Sequence, residues 1–335
     1  MSSALRQITV LSGGVGGARF VRGLRHGIAT GTLPGVPADA AVTVVANTAD
    51  DWWLHGLKVC PDLDTLMYTL GDGIDTERGW GRRDETWHAR EELEAYGVDR
   101  AWFGLGDRDL ATHLVRTQML DAGYPLSRVT EALCRRWQPG VRLLPMTDDR
   151  VETHIAIPDP EAPSGRRVVH FQEYWVRLRA EVPAETVVVG IDDSSPAPGV
   201  LDALAEADLV LLPPSNPVVS VGTILGVPGV RDALAATRAP VVGISPIVGG
   251  RHVHGMAQQL LTSIGVEVSA GGVGRHYGSR SADGVLDGWL VDESDADQLD
   301  GLRGAGLAAA AVPLMMTDDD ATAAMAAAAI ELVAR

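Results

Sequence analysis

The first apolar run of the chain, Ile8-Thr9-Val10-Leu11, is too short for a helix and ends in Ser12-Gly13-Gly14-Val15-Gly16-Gly17. It reads as a buried strand running into a tight glycine turn. Residues 18–26 have helical spacing, and a second apolar strand at 41–46 follows a Pro/Gly loop. Later strand candidates at 186–190, 208–212, 239–244 and 288–291 alternate with helical stretches. Between them, 62–138 is mainly helical, whereas 152–157 and 167–172, joined by a turn over 158–165, carry a hairpin signal. Residues 318–335 form an alanine-rich helix with acids in its first turn, where the helix dipole favours them. This alternation predicts an α/β fold with a doubly wound, mainly parallel Rossmann-like sheet. Residues 1–71 and 181–335 would form the core, and 72–180 a mostly helical insertion with a β-hairpin.

Composition removes several classes of function. No run approaches the roughly 18–20 apolar residues that cross a bilayer, and the N-terminus has no secretory pattern, so no membrane contact and a cytoplasmic location are expected. A net charge of −16 without a basic patch argues against nucleic acid. The two cysteines, Cys60 and Cys134, are far apart and lack zinc-ligand spacing. Lys58 is the only lysine and no GxxxxGK[ST] pattern occurs, so a P-loop or kinase site lacks its phosphate-binding lysine.

In a doubly wound sheet ligands sit beyond the carboxyl ends of the strands, so residues that follow strand candidates matter most. Ser12, Gly13, Gly14, Gly16 and Gly17 follow the first strand and suit a phosphate cradle, because glycine lets backbone N–H groups approach an anion. The dinucleotide pattern fits only in part, since Arg19 stands where the third glycine belongs and Asn47, not an acid, ends the second strand. A tight β–α turn without a ligand remains the plainer alternative. Asn47-Thr48-Ala49-Asp50-Asp51 follows the second strand, and Pro61-Asp62-Leu63-Asp64-Thr65 comes ten residues later. Four carboxylates near one strand end suit Mg²⁺, with helix capping as the competing role of Asp62. Gly104 to His113 contains Asp107, Arg108, Asp109 and His113, of which Asp109 reads as a helix cap. Ser215 and Asn216, and then Ser245 and Gly249, follow two later strands in loops that taken singly are plain turns. The tryptophans at 52, 53, 80, 87 and 102 crowd the early half, where core packing is the simpler role than stacking on a planar ligand.

Together these pieces resemble the 2-phospho-L-lactate transferases of deazaflavin coenzyme F-420 biosynthesis (the CofD/FbiA family), closest to the actinobacterial phosphoenolpyruvyl branch. The matching stretches are Gly13 to Arg19, Asn47 to Asp51, Pro61 to Thr65, Trp80-Gly81, Glu85-Thr86-Trp87, Gly104 to His113, Pro214 to Pro217 and Ser245 to Gly249. The resemblance implies a Mg²⁺-dependent homodimer. It would move a phosphoenolpyruvyl or 2-phospho-L-lactyl group from a guanosine diphospho-linked donor to the terminal ribityl hydroxyl of the deazaflavin Fo, releasing GMP. It also implies roles for single residues. Asp50 and Asp51 would be catalytic, and Asp50, Asp62 and Asp64 would hold the Mg²⁺. Thr86, Arg90, Asp107, Arg108 and His113, with Asp50, would lie on the acceptor side. Ser12, Gly13, Gly14, Gly16, Gly17, Asn47, Thr48, Ser215, Asn216, Ser245 and Gly249 would hold the donor nucleotide. Two departures stand out: Ala49 replaces a glycine common in the family, and His254-Gly255-Met256-Ala257 replaces a lysine-glycine-proline run. A non-catalytic Rossmann-type nucleotide-binding regulator and a sugar-nucleotide enzyme are the alternatives.

Overall fold

In the computed structural model, which describes residues 4–99, 102–180, 185–253 and 257–334, the early apolar run forms β1 (Gln7–Ser12). The glycine turn passes directly into α1 (Gly14–Thr30), and β2 (Ala41–Ala46) pairs parallel to β1 with Ser12 opposite Ala46. Two short strands, β3 (Trp52–Leu54) and β4 (Leu57–Val59), then make a hairpin. His55 and Gly56 at its tip both have positive φ, 52° and 78°, as a two-residue turn matched to strand twist requires. Four helices follow: α2 (Pro61–Leu70), α3 (His88–Ala95), α4 (Asp107–Asp121) and α5 (Leu126–Trp137).

The next strand, β5 (Arg142–Pro145), returns to the main sheet beside β2. β6 (Glu152–Pro158), β7 (Arg166–His170) and β8 (Glu185–Val189) form a separate antiparallel sheet in the order β7-β6-β8. Then come α6 (Val200–Ala205), β9 (Leu209–Leu212), α7 (Val221–Gly226), α8 (Val230–Ala236) and β10 (Val241–Ile244). A small hairpin of β11 (Ile247–Val248) and β12 (Arg251–His252) precedes α9 (Ala257–Ser263) and α10 (Ala270–Tyr277). β13 (Gly288–Val291), α11 (Leu299–Gly304), β14 (Ala308–Ala311) and α12 (Asp319–Val333) complete the chain.

Among the described residues the main sheet has seven strands, all parallel, in the order β14-β13-β10-β9-β1-β2-β5. Its side chains alternate between two apolar layers. Ile8, Val10, Val44 and Leu211 join one layer with Phe20, Leu24, Leu66 and Met325, while Leu11, Val45, Val210 and Leu212 join the other with Ile224, Val230 and Trp289. Each such fully buried side chain contributes roughly 1.5–3 kcal/mol relative to exposure. Chain order reverses between β1 and β9, so the switch point lies where Ser12 to Gly17 and Pro213 to Pro217 leave the sheet.

Two expectations need correction. Residues 72–180 do not lie outside the sheet, because β5 is its edge strand. Only four residues long and closed by a proline, that strand gives almost no period to read. The strand expected at 186–190 is β8, the third strand of the small antiparallel sheet, with Glu185 opposite Ala156. Val187 and Val189 are exposed, while Val188 packs against the edge of the second apolar layer.

Candidate functional site

The glycine turn is shaped by close packing at the switch point. Gly14 has φ +63°, and a Cβ on Gly17 would lie 1.9 Å from the Ser12 Oγ. The Ser215 hydroxyl donates to the Gly13 carbonyl at 3.1 Å, which ties the loop after β9 to the loop after β1. The predicted donor residues from these two strands are therefore neighbours. The Ser12 hydroxyl is buried and has no hydrogen-bond partner.

After β2 the aspartate loop enters the same crevice. Asn47 is fully committed: its amide donates to Asp62 Oδ2 at 2.9 Å, and its oxygen accepts from the Ala49 N–H at 3.0 Å and the Thr223 hydroxyl at 2.7 Å. Thr48 is buried with its hydroxyl unpartnered. Asp62 starts α2 immediately after Pro61 and reaches the glycine turn, where the Gly14 backbone N–H supports its carboxylate. Burial pushes the Asp62 pKa up to about 7 against the Asn47 hydrogen bond. Burial, and next the charge of Asp62, push the Asp50 carboxyl well above the usual range. Asp50 Oδ1 has no hydrogen-bond partner. Asp51 is raised by burial to about 6, although Lys58 Nζ lies 3.6 Å from its Oδ2 and pulls the other way. Two buried carboxylates that repel each other beside a glycine turn, one with an unfilled oxygen, form a hard-oxygen pair suited to a divalent cation.

Asp64 is not part of that pair. Two residues along α2, its Oδ1 accepts from the Arg116 guanidinium, and His113 Nδ1 lies 3.7 Å from its other oxygen. Arg116 is 1% exposed and also donates to the Lys58 carbonyl and His113 Nδ1. His113 Nε2 in turn is 3.3 Å from Asp109, which accepts from the Tyr68 hydroxyl at 2.5 Å. Asp64, expected to ligate the metal with Asp50 and Asp62, gives one oxygen to Arg116, while its Oδ2 is buried and makes no hydrogen bond. Among the described residues no group of three His, Cys, Asp or Glu side chains converges as a metal-ligand set.

The residues expected on the acceptor side divide in the same way. Asp107 accepts from the Thr86 hydroxyl at 2.6 Å and from the backbone N–H groups of His88 and Ala89, so it caps α3. Glu85 answers by accepting from the N–H groups of Arg108 and Asp109 at the start of α4. Arg90 pairs with Glu94. His113 belongs to the buried Arg116 network and Arg108 is exposed at the α4 start. On the nucleotide side, Asn216 accepts from the Val218 and Val219 N–H groups, the Ser245 hydroxyl donates to the Ile247 carbonyl, and the Gly249 N–H donates to Asp295 at 2.9 Å. The Gly249 donor is thus already occupied by a carboxylate. Residues 254–256 of the departing stretch lie outside the described residues.

The hairpin expected at 152–157 and 167–172 is present as β6 and β7, but the sequence did not single out its residues as part of the site. His170 and Gln172 reach the carbonyls of Asp51 and Asp50. Trp52 stacks on His170 and packs with Trp102 and Phe103 in a buried aromatic group. No spacing rule links residues more than a hundred positions apart, so only the fold could reveal this contact.

The family model described as 2-phospho-L-lactate transferase matches residues 8–329. The chain belongs to the 2-phospho-L-lactate transferase family. Proteins named phosphoenolpyruvate transferase are similar along nearly their whole length. The Streptomyces coelicolor protein is 63% identical over 97% of this chain and 98% of its own, and the Mycolicibacterium smegmatis protein is 57% identical over the same shares. Among solved structures, the Bacillus halodurans protein BH3568 aligns with TM-score 0.61 and 18% identity, covering 98% of this chain and 99% of that one. That likeness shows the fold. As a member of this family the chain is a transferase of coenzyme F-420 biosynthesis, and the regulator alternative is set aside. No helix among the described residues is long and apolar enough to cross a membrane.

Proposed function

We propose that the transferase carries a phosphoenolpyruvyl group from a guanosine diphospho-linked donor to the terminal ribityl hydroxyl of the deazaflavin Fo. In that step the Fo hydroxyl oxygen bonds to the distal phosphorus, the bond to the bridging oxygen breaks, and GMP leaves. The hydroxyl proton passes to a carboxylate of the aspartate loop. The enolpyruvyl choice is supported by relatives at 57–63% identity named phosphoenolpyruvate transferase, and 2-phospho-L-lactyl is the competing group. The observation that carries the reading is the buried Asp50–Asp62 pair at the switch point, each carboxyl held toward protonation by burial.

Asp50 and Asp62 are the residues that would hold Mg²⁺, with water and substrate phosphates completing the shell. When bound, such an ion would supply charge neutralisation for the diphosphate. The chain's own residues contribute position. The glycine turn and the Ser215 loop shape the diphosphate end, and the Ser12 and Thr48 hydroxyls supply unspent polar groups. Transfer of this type rests on positioning and charge neutralisation rather than on a strong base. A cytoplasmic homodimer completes the proposal.

Thermal shift with GDP and Mg²⁺, and separately with Fo, tests binding. Mass spectrometry of products formed from competing enolpyruvyl, lactyl and glyceryl donors tests the transfer. Stabilisation by both ligands and a dominant enolpyruvyl product are expected. No stabilisation and no product from any donor would contradict the proposal.

A further inference from the structure

Beyond the end of β2 the aspartate loop has left the sheet ladder, and its carbonyl groups are held by the small antiparallel sheet. The Thr153 N–H of β6 donates to the Ala49 carbonyl at 2.6 Å. The Gln172 side-chain amide donates to the Asp50 carbonyl at 3.2 Å, and His170 Nε2 lies 3.3 Å from the Asp51 carbonyl. Three consecutive carbonyls are thus taken from one side. The imidazole has a fixed tautomer, because Nδ1 accepts from the Gln172 N–H at 3.1 Å and the Nε2 proton must then face Asp51. The same ring stacks on Trp52, with centroids 5.2 Å apart and planes 16° from parallel. The loop is therefore held both at Asp51 and at the residue after it.

The contrast within the loop is informative. The carbonyls are satisfied while Asp50 Oδ1 makes no hydrogen bond, and Asp51 is faced by Lys58 Nζ at 3.6 Å. A loop that only needed to be buried would satisfy its costliest groups first, and those are the carboxylates. This loop spends its partners on the backbone and leaves Asp50 Oδ1 to meet something else.

We infer that the small antiparallel sheet is the mount of the aspartate loop, and that His170 and Gln172 are positioning residues for the transfer reaction. The inference rests on the reading of Asp50 given above. Neither side chain needs to touch substrate, since each acts through a carbonyl of a residue that does. A displacement of about 1 Å at a reacting group can cost about a hundredfold in rate.

Three variants separate positioning from simple packing. His170→Phe keeps a ring against Trp52 and removes the donor. His170→Gln returns an amide N–H near the place of Nε2. Gln172→Leu removes the second donor. Steady-state kinetics with Fo and the enolpyruvyl donor should show kcat lowered about tenfold or more in His170→Phe and Gln172→Leu, with KM within about threefold. His170→Gln should recover kcat to within about threefold of wild type. Independently of activity, hydrogen exchange over 47–53 should quicken in His170→Phe and not in His170→Gln, with the unfolding temperature little changed.

Unchanged exchange, or unchanged kcat, in both His170→Phe and Gln172→Leu overturns the inference. Asp50→Asn measured in parallel keeps the two claims apart. Wild-type turnover in Asp50→Asn overturns the reading of Asp50 and with it the catalytic part of this inference. An inactive Asp50→Asn beside fully active His170→Phe and Gln172→Leu overturns the inference alone.

Discussion

Replacing Arg116 by methionine removes the cation at the centre of the buried network while nearly keeping the length of the stem. Arg116 is 1% exposed and joins Asp64 of α2 to His113 of its own helix and to the Lys58 carbonyl. Burial, the largest effect, would make the guanidinium easier to deprotonate, but the charge and hydrogen bond of Asp64 together with neighbouring Cys60 and Tyr68 outweigh it and hold its pKa above the ordinary value. Without Arg116, Asp64 would be a buried carboxylate facing a histidine at 3.7 Å and no arginine. Breaking a buried pair from one side costs roughly 3–5 kcal/mol, whereas replacing both partners by apolar groups is often close to neutral. Urea unfolding followed by tryptophan fluorescence should therefore show Arg116→Met losing about 3–5 kcal/mol, and Asp64→Leu/Arg116→Met recovering most of it. The reasoning is refuted if Arg116→Met loses less than about 1 kcal/mol, or if the double variant is weaker than the single one. The outcome also decides the role of Asp64: a ligand of the metal would lose its Mg²⁺ response in Asp64→Asn at unchanged stability.

The pH dependence of stability follows from the raised carboxyls. Asp62 has a folded pKa of about 7, above the usual carboxylate value near 4, so between these limits the unfolded chain has released a proton that the folded one keeps. Its contribution therefore weakens stability as pH rises from about 4 to about 7 and is constant above that. Thermal unfolding of Asp62→Asn against wild type should show an advantage for the variant that grows over this interval; a constant difference would show that the raised pKa is wrong. Asp107 caps α3 through two backbone N–H groups, so Asp107→Ala should quicken hydrogen exchange over 88–95 and leave acceptor KM near wild type. A raised acceptor KM with unchanged exchange would return Asp107 to the acceptor site.

Much of the frame could be read from the chain because local rules and tertiary packing agree there. β1 and β2 are apolar runs ended by glycine or asparagine, and the loops after β1, β2 and β9 do meet at the switch point. Where the two levels disagree, the reading failed. β14 is Ala308-Ala309-Ala310-Ala311, a strand made of the residue most favourable to helix, held in place by pairing with β13. At the site, Asp62 and Asp64 look equivalent, yet two positions along a helix put them on different faces. One reaches the glycine turn and the other reaches Arg116, and that cation, fifty-two residues on, left no mark near Asp64. Residue type found the carboxylates, and only three-dimensional neighbours sorted them.

The central claim is that the Asp50–Asp62 pair is where the phosphorus centre changes partners. Product formation from Fo and the enolpyruvyl donor, followed by mass spectrometry for wild type, Asp50→Asn and Asp62→Asn, tests it most directly. The account predicts that both variants stay folded by circular dichroism and form product at least about a hundredfold more slowly, in line with loss of a group acting in the transition state. Either variant turning over at the wild-type rate would contradict it.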